Sequence, residues 1–114
     1  MQSPGALDLD MYQGATWEYT LTWKLNGAPV DLSAYSARMM ARSSYAAASA
    51  VLSLTSGSGI TLGGTAGTIV LAASAVTTAG VAAAQYVYDL ELVSGGTVTR
   101  LVEGYLNVSP EATR

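Results

Sequence analysis

Asp89 and Glu91 stand two residues apart in the stretch YVYDLELVSGGTVTRLVEG, residues 86–104. On a β-strand such alternate side chains share a face and lie about 6.5–7 Å apart. Two carboxyls at that separation are what a glycosidase uses for acid–base attack on a sugar. The same spacing also describes the solvent face of an amphipathic strand, with Arg38, Arg42 or Arg100 pairing across strands. The structural reading is preferred, because nothing else in the chain supplies the rest of a reaction centre. Asp8 and Asp10 repeat the pattern, but a calcium site needs an oxygen-rich loop turned by glycine, and none accompanies them.

Other chemistries fail on composition. The 114 residues include no His and no Cys. That removes the commonest general base, the commonest transition-metal ligand, thiolate chemistry and any disulfide framework. A serine nucleophile needs a base, and Lys24 is the one lysine. The glycine-rich stretch GSGITLGG lacks the Gly-Lys-Ser/Thr signature of a phosphate-binding loop and does not fit a dinucleotide fingerprint; turn chemistry accounts for it. The chain is therefore expected to be no enzyme, with no catalytic, cofactor-binding or metal-ligating residue. Tyr12, Tyr35, Tyr45 and Tyr105 are candidates to stack on a sugar or a protein partner. The plainer reading makes each a core aromatic with its hydroxyl at the wet rim.

The elements that must position these residues are strands. TWEYTLTWK (16–24) puts Trp17, Tyr19, Leu21 and Trp23 on one face. Period two with aromatic and β-branched residues specifies a half-buried strand, and the two Trp side chains read as core anchors. Asn26-Gly27 follows as a hairpin turn, then an extended piece over 29–32. SARMMAR (36–42) is a strand with Ala37, Met39 and Ala41 on one side. The segment 45–54 is ambiguous, since its alanines accept a helix. SLTSGSGITL and GTIVLAA are strand regions joined by the turn 63–67. In residues 74–81, Ser74 is an N-cap and Gly80 a stop for one helical turn. Tyr86, Tyr88, Leu90 and Leu92 then share one face of a ribbon folded at Ser94-Gly95-Gly96. Leu101-Val102 breaks the alternation of the returning strand: either both its faces are covered or a bulge sits there, which Gly104 would ease. Leu7, Leu9 and Met11 alternate with Asp8 and Asp10 as an edge strand.

About seven short strands with regular turn signals predict an all-β fold, an antiparallel β-sandwich with at most one short helical turn. The chain reads as one domain over 1–114, with 1–5 and 111–114 expected to fray. At this length about 65% of the unfolded surface is buried, enough for a core without staples. The net charge is −3 and the five basic residues are scattered, so no nucleic-acid partner is expected. Charged residues are 11% of the chain and none falls between Arg42 and Asp89. That neutral middle is broken by Gly57, Gly59, Gly63, Gly64 and Gly67, so no apolar run spans a membrane. The N-terminus lacks the basic and apolar regions of a signal peptide. A neutral Ala/Ser/Thr/Gly-rich surface suits a subunit packed among neighbours.

The order of these elements resembles a family. MYQGATWEYTLTWKLNGAPVDLSAYSARMMAR, a glycine-rich middle, and GTIVLAASAVTTAGVAAAQYVYDLELVSGGTVTRLVEGYLNVSPEATR together resemble small tailed-bacteriophage virion proteins similar to the N-terminal domain of siphophage baseplate upper proteins. The likeness runs from Leu9 to Arg114 and rests on the sequence of elements, with no single diagnostic motif. It implies a non-enzymatic β domain of the virion, assembled in the host cytoplasm, that docks on other virion proteins and on copies of itself. A tail or baseplate adaptor is the first expectation and a capsid decoration protein the second. A carbohydrate-binding module using exposed tyrosines comes third.

Overall fold

Alternation governs most of the chain. The computed structural model describes residues 5–113. The strands are β1 (Gly5–Ala6), β2 (Leu9–Tyr12), β3 (Trp17–Thr22), β4 (Lys24–Leu25), β5 (Ala28–Pro29), β6 (Ser36–Arg42), β7 (Leu52–Ser56), β8 (Gly59–Leu62), β9 (Thr68–Ala73), β10 (Ala84–Ser94) and β11 (Thr97–Ser109). Two short helical turns occur where at most one was expected: a 3-10 turn at Gly64–Ala66, inside the glycine-rich turn before β9, and α1 (Ala75–Ala79), which precedes β10. The Ser74 hydroxyl caps α1 by accepting the Thr77 N–H at 3.2 Å, and Gly80 closes it. In β6, Ala37, Met39 and Ala41 are buried while Arg38 and Met40 are exposed. Tyr86, Tyr88, Leu90 and Leu92 are buried along β10. Both Trp17 and Trp23 lie in the same core cluster, and Trp23 meets Tyr35 edge-on at 5.5 Å between ring centroids.

The architecture differs from the expected sandwich of about seven antiparallel strands. Nine strands form one mixed sheet, curled into a half-barrel, in the order β1-β11-β10-β6-β7-β8-β9-β3 with β2 beside β1 on the edge of β11. β4 and β5 form a separate hairpin, turned at Asn26-Gly27 with φ of 53° and 81°. The physical reasons are two. First, β1 and β2 return alongside β11 in parallel, a pairing between chain ends that no turn signal announces. Second, Gly57-Ser58 does not reverse the chain. It steps it sideways, so that β8 pairs with the end of β7 in parallel before pairing antiparallel with β9. Consecutive strands β2 and β3 thus sit at opposite ends of the strand order, and the turn between them spans the open side of the curl.

Elsewhere the ambiguities resolve. Residues 43–51 form no helix; they are a loop of turns and bends leading into β7. Most of 29–32 is likewise outside a strand, since β5 ends at Pro29. The break at Leu101-Val102 is a bulge: Leu90 pairs with Val102 and Glu91 with Arg100, leaving Leu101 as the extra residue. Gly104 serves another purpose. A Cβ there would run into the Leu7 carbonyl, so a side chain at 104 would hold the N-terminal segment off the sheet. Of the termini read as fraying, residues 1–4 and 114 lie outside the described residues. Gly5 is paired with Val102, and the Glu111 N–H donates to Gln13 Oε1 at 3.3 Å. Among the described residues no helix is long and apolar enough to cross a membrane.

Candidate functional site: the outer face of β6, β10 and β11

The strand that buries Tyr86, Tyr88, Leu90 and Leu92 turns Val87, Asp89 and Glu91 outward by its pleat. β6 and β11 flank it in register: Glu91 lies opposite Arg38 and Asp89 opposite Glu103 and Met40. The carboxylates are accordingly taken up by arginines. Arg38 Nε donates to Glu91 at 2.8 Å. Arg100 reaches Asp89 at 3.5 Å and Glu103 at 3.3 Å. Arg42, the third arginine of the sequence reading, bonds the Ala47 carbonyl at 3.2 Å and the Met40 sulfur at 3.4 Å instead. Partial burial pushes the Asp89 carboxyl above its ordinary range, with Arg100 pulling against that shift. Guanidinium partners on both sides make this a lattice of ion pairs. Among the described residues no three carboxylates gather as metal ligands would.

Sequence reasoning missed the second feature of this face. The loop 43–51 folds back over the sheet and lays Tyr45 beside Val87. Two shallow cavities result, sharing Tyr45 and Val87 as their common wall. The first, ≈ 290 Å³, is bordered by Met40, Arg42, Asp89 and Arg100. The second, ≈ 240 Å³, is bordered by Ala6, Asp8, Glu103 and Tyr105. Of the four tyrosines singled out from the sequence, Tyr45 and Tyr105 are thus brought together, 61% and 47% exposed. Tyr12 is exposed at the end of β2, apart from these cavities, and Tyr35 is half-buried against Trp23. Met40 is 38% exposed beside them.

Asp8 is placed by a local irregularity. Residues 7–8 interrupt the strand between β1 and β2, and the Asp8 carboxylate accepts the Tyr105 N–H at 3.0 Å in place of a backbone carbonyl. Leu7 is held on both sides: its N–H donates to the Glu103 carbonyl at 3.0 Å, and its carbonyl accepts the Tyr88 hydroxyl at 2.5 Å. Burial first, and the Asp8 charge second, raise the Tyr88 phenol far above its ordinary pKa, so it remains a proton donor. These contacts join residues more than 80 positions apart, and no signal in a single sequence would have found them. Asp10, the other member of the Asp8/Asp10 pair, receives a long 3.5 Å contact from the Asn107 amide.

No family model matches the chain, and no curated protein matches it either. What this face can do follows from its own chemistry: paired charges and exposed apolar area.

Proposed function

We infer that this protein is a non-enzymatic structural subunit of a bacteriophage virion, a docking adaptor of the tail or baseplate region that works through protein–protein contacts. The observation that carries the docking role is the clustering of Met40, Tyr45, Val87 and Tyr105 on one sheet face, ringed by ion pairs. Large exposed aromatic and Met side chains surrounded by polar groups are the composition of an interface centre and its rim. The virion setting rests on the resemblance carried by the element order from Leu9 to Arg114. The molecule measures 44 × 27 × 22 Å, so its broad side exceeds the ~800 Å² per partner of a standard interface.

Particle composition tests the reading. Electron microscopy and mass spectrometry of purified particles are expected to find the chain at about a dozen copies, as befits a tail position. Hundreds of copies would instead place it on the capsid as a decoration protein, and none would end the virion reading.

A further inference from the structure

The two cavities that share Tyr45 differ in charge. Around the first, Arg42 and Arg100 face Asp89. Around the second, the ionised groups are Asp8 and Glu103, the rings are Tyr45 and Tyr105, and the floor is Ala6 and Val87. We propose that the second cavity is a receptor for a cationic side chain, the lysine or arginine of a docking protein partner. This rests on the docking reading above and names what the partner must present.

The geometry suits a cation in three ways. Tyr45 and Tyr105 both border the cavity and are substantially exposed, so their rings are accessible to an ammonium or guanidinium group, which aromatic rings attract. The carboxylates are held in place: Asp8 Oδ1 is fixed by the Tyr105 N–H at 3.0 Å, leaving Oδ2 to accept. Glu103 Oε1 has one contact, the 3.3 Å bond from Arg100. Arg100 approaches from the first cavity and partly offsets Glu103, but it does not border the second. Burial first, and then the charges of Glu103 and Asp89, raise the Tyr45 phenol above its ordinary pKa against a smaller lowering by Arg100. The volume, ≈ 240 Å³, admits one long side chain and excludes a folded domain. The aliphatic stem of a lysine would lie on Val87 and Ala6, its charged end between the carboxylates.

The test is a titration of the isotopically labelled full chain, followed by NMR, with three blocked tripeptides: Gly-Lys-Gly, Gly-norleucine-Gly and Gly-Glu-Gly. The lysine peptide is expected to shift the Val87 methyl and the Tyr45 and Tyr105 ring signals saturably, with a Kd on the order of millimolar. The norleucine and glutamate peptides are expected to leave them unchanged, and added salt to weaken the lysine response. A double variant, Asp8→Asn with Glu103→Gln, keeps shape and the Tyr105 bond while removing both charges. It is expected to weaken binding about three- to tenfold. Tyr45→Ala, in an exposed loop, is expected to weaken it about two- to fivefold. Equal shifts from norleucine, or no shift from lysine, would overturn the proposal, as would shifts from galactose or N-acetylglucosamine in place of lysine. Any of these results leaves the particle-composition test of the docking subunit untouched.

Discussion

At the scale of single residues, the outer face is fixed by groups beneath it. Tyr88 is 1% exposed, and its hydroxyl is donated to the Leu7 carbonyl, which ties the N-terminal segment against β10 and β11. Tyr88→Phe removes that donor without changing packing. The expected cost is about 1–2 kcal/mol, read as a lower urea midpoint with an unchanged slope. An unchanged midpoint would mean the carbonyl is satisfied without Tyr88. Two carboxylates shift in opposite directions and give opposite pH dependences. Asp31 is held below its ordinary range by the Ser33 hydroxyl and N–H, so its contribution is present above the unfolded value and lost as pH falls. Asp89 is raised, chiefly by burial. The folded state then binds its proton more tightly than the unfolded state, and stability drains away as pH rises from the ordinary Asp value through the folded one. Asp89→Asn is therefore expected to gain stability relative to the parent as pH climbs through that window, in paired urea titrations. A relative loss instead would mean that the Arg100 attraction outweighs desolvation.

At the scale of elements, two packings carry the curl. α1 is too short to persist alone; it is held by Thr78, whose buried hydroxyl donates to the Ala15 carbonyl at 2.8 Å and accepts the Gly14 N–H at 3.1 Å. That pins the turn between β2 and β3 across the open side. Thr78→Val leaves both backbone groups short of a partner and is expected to cost about 1–3 kcal/mol, visible as a lowered Tm. Gly104→Ala drives a methyl group at the Leu7 carbonyl. The expected cost is about 1–3 kcal/mol, with faster amide exchange confined to residues 5–8, because the added atom levers that segment away. The elements differed in how legible they were. β3 and β10 were plain in the sequence because each alternates, β6 was legible from a less clean alternation, and the hairpin turn at Gly95-Gly96 needs only local chemistry. The Leu101 bulge was one of two open readings, and pairing register decided it. β1 and β2 were recognisable as extended, but their parallel pairing with β11 was not, since it joins the chain's two ends. SLTSGSGITL was legible as strand, but its sidestep at Gly57-Ser58 was not: a Gly-Ser-Gly run permits the chain to bend without stating which way it goes. The ion pairs of Arg38 and Arg100 were anticipated from charge alone. Tyr45 was not placed, because a loop folding back over a sheet leaves no periodic trace.

At the scale of the whole molecule, a curled sheet with most of its large apolar side chains buried presents one outer face on which Met40, Tyr45 and Tyr105 are exposed together. Asymmetry of this kind suits a subunit that meets its partner one way round. The proposed docking role requires that the face bearing Met40, Tyr45 and Tyr105 be covered in the assembled particle. All three side chains react with hydroxyl radicals, as does Tyr12, which is 64% exposed and lies away from those cavities. Radical footprinting of the free protein and of intact particles, read by mass spectrometry, therefore compares the face with an internal control. Met40, Tyr45 and Tyr105 are expected to be strongly protected in particles, beyond any change at Tyr12. Labelling of the three that is as heavy in particles as in the free chain would contradict that role.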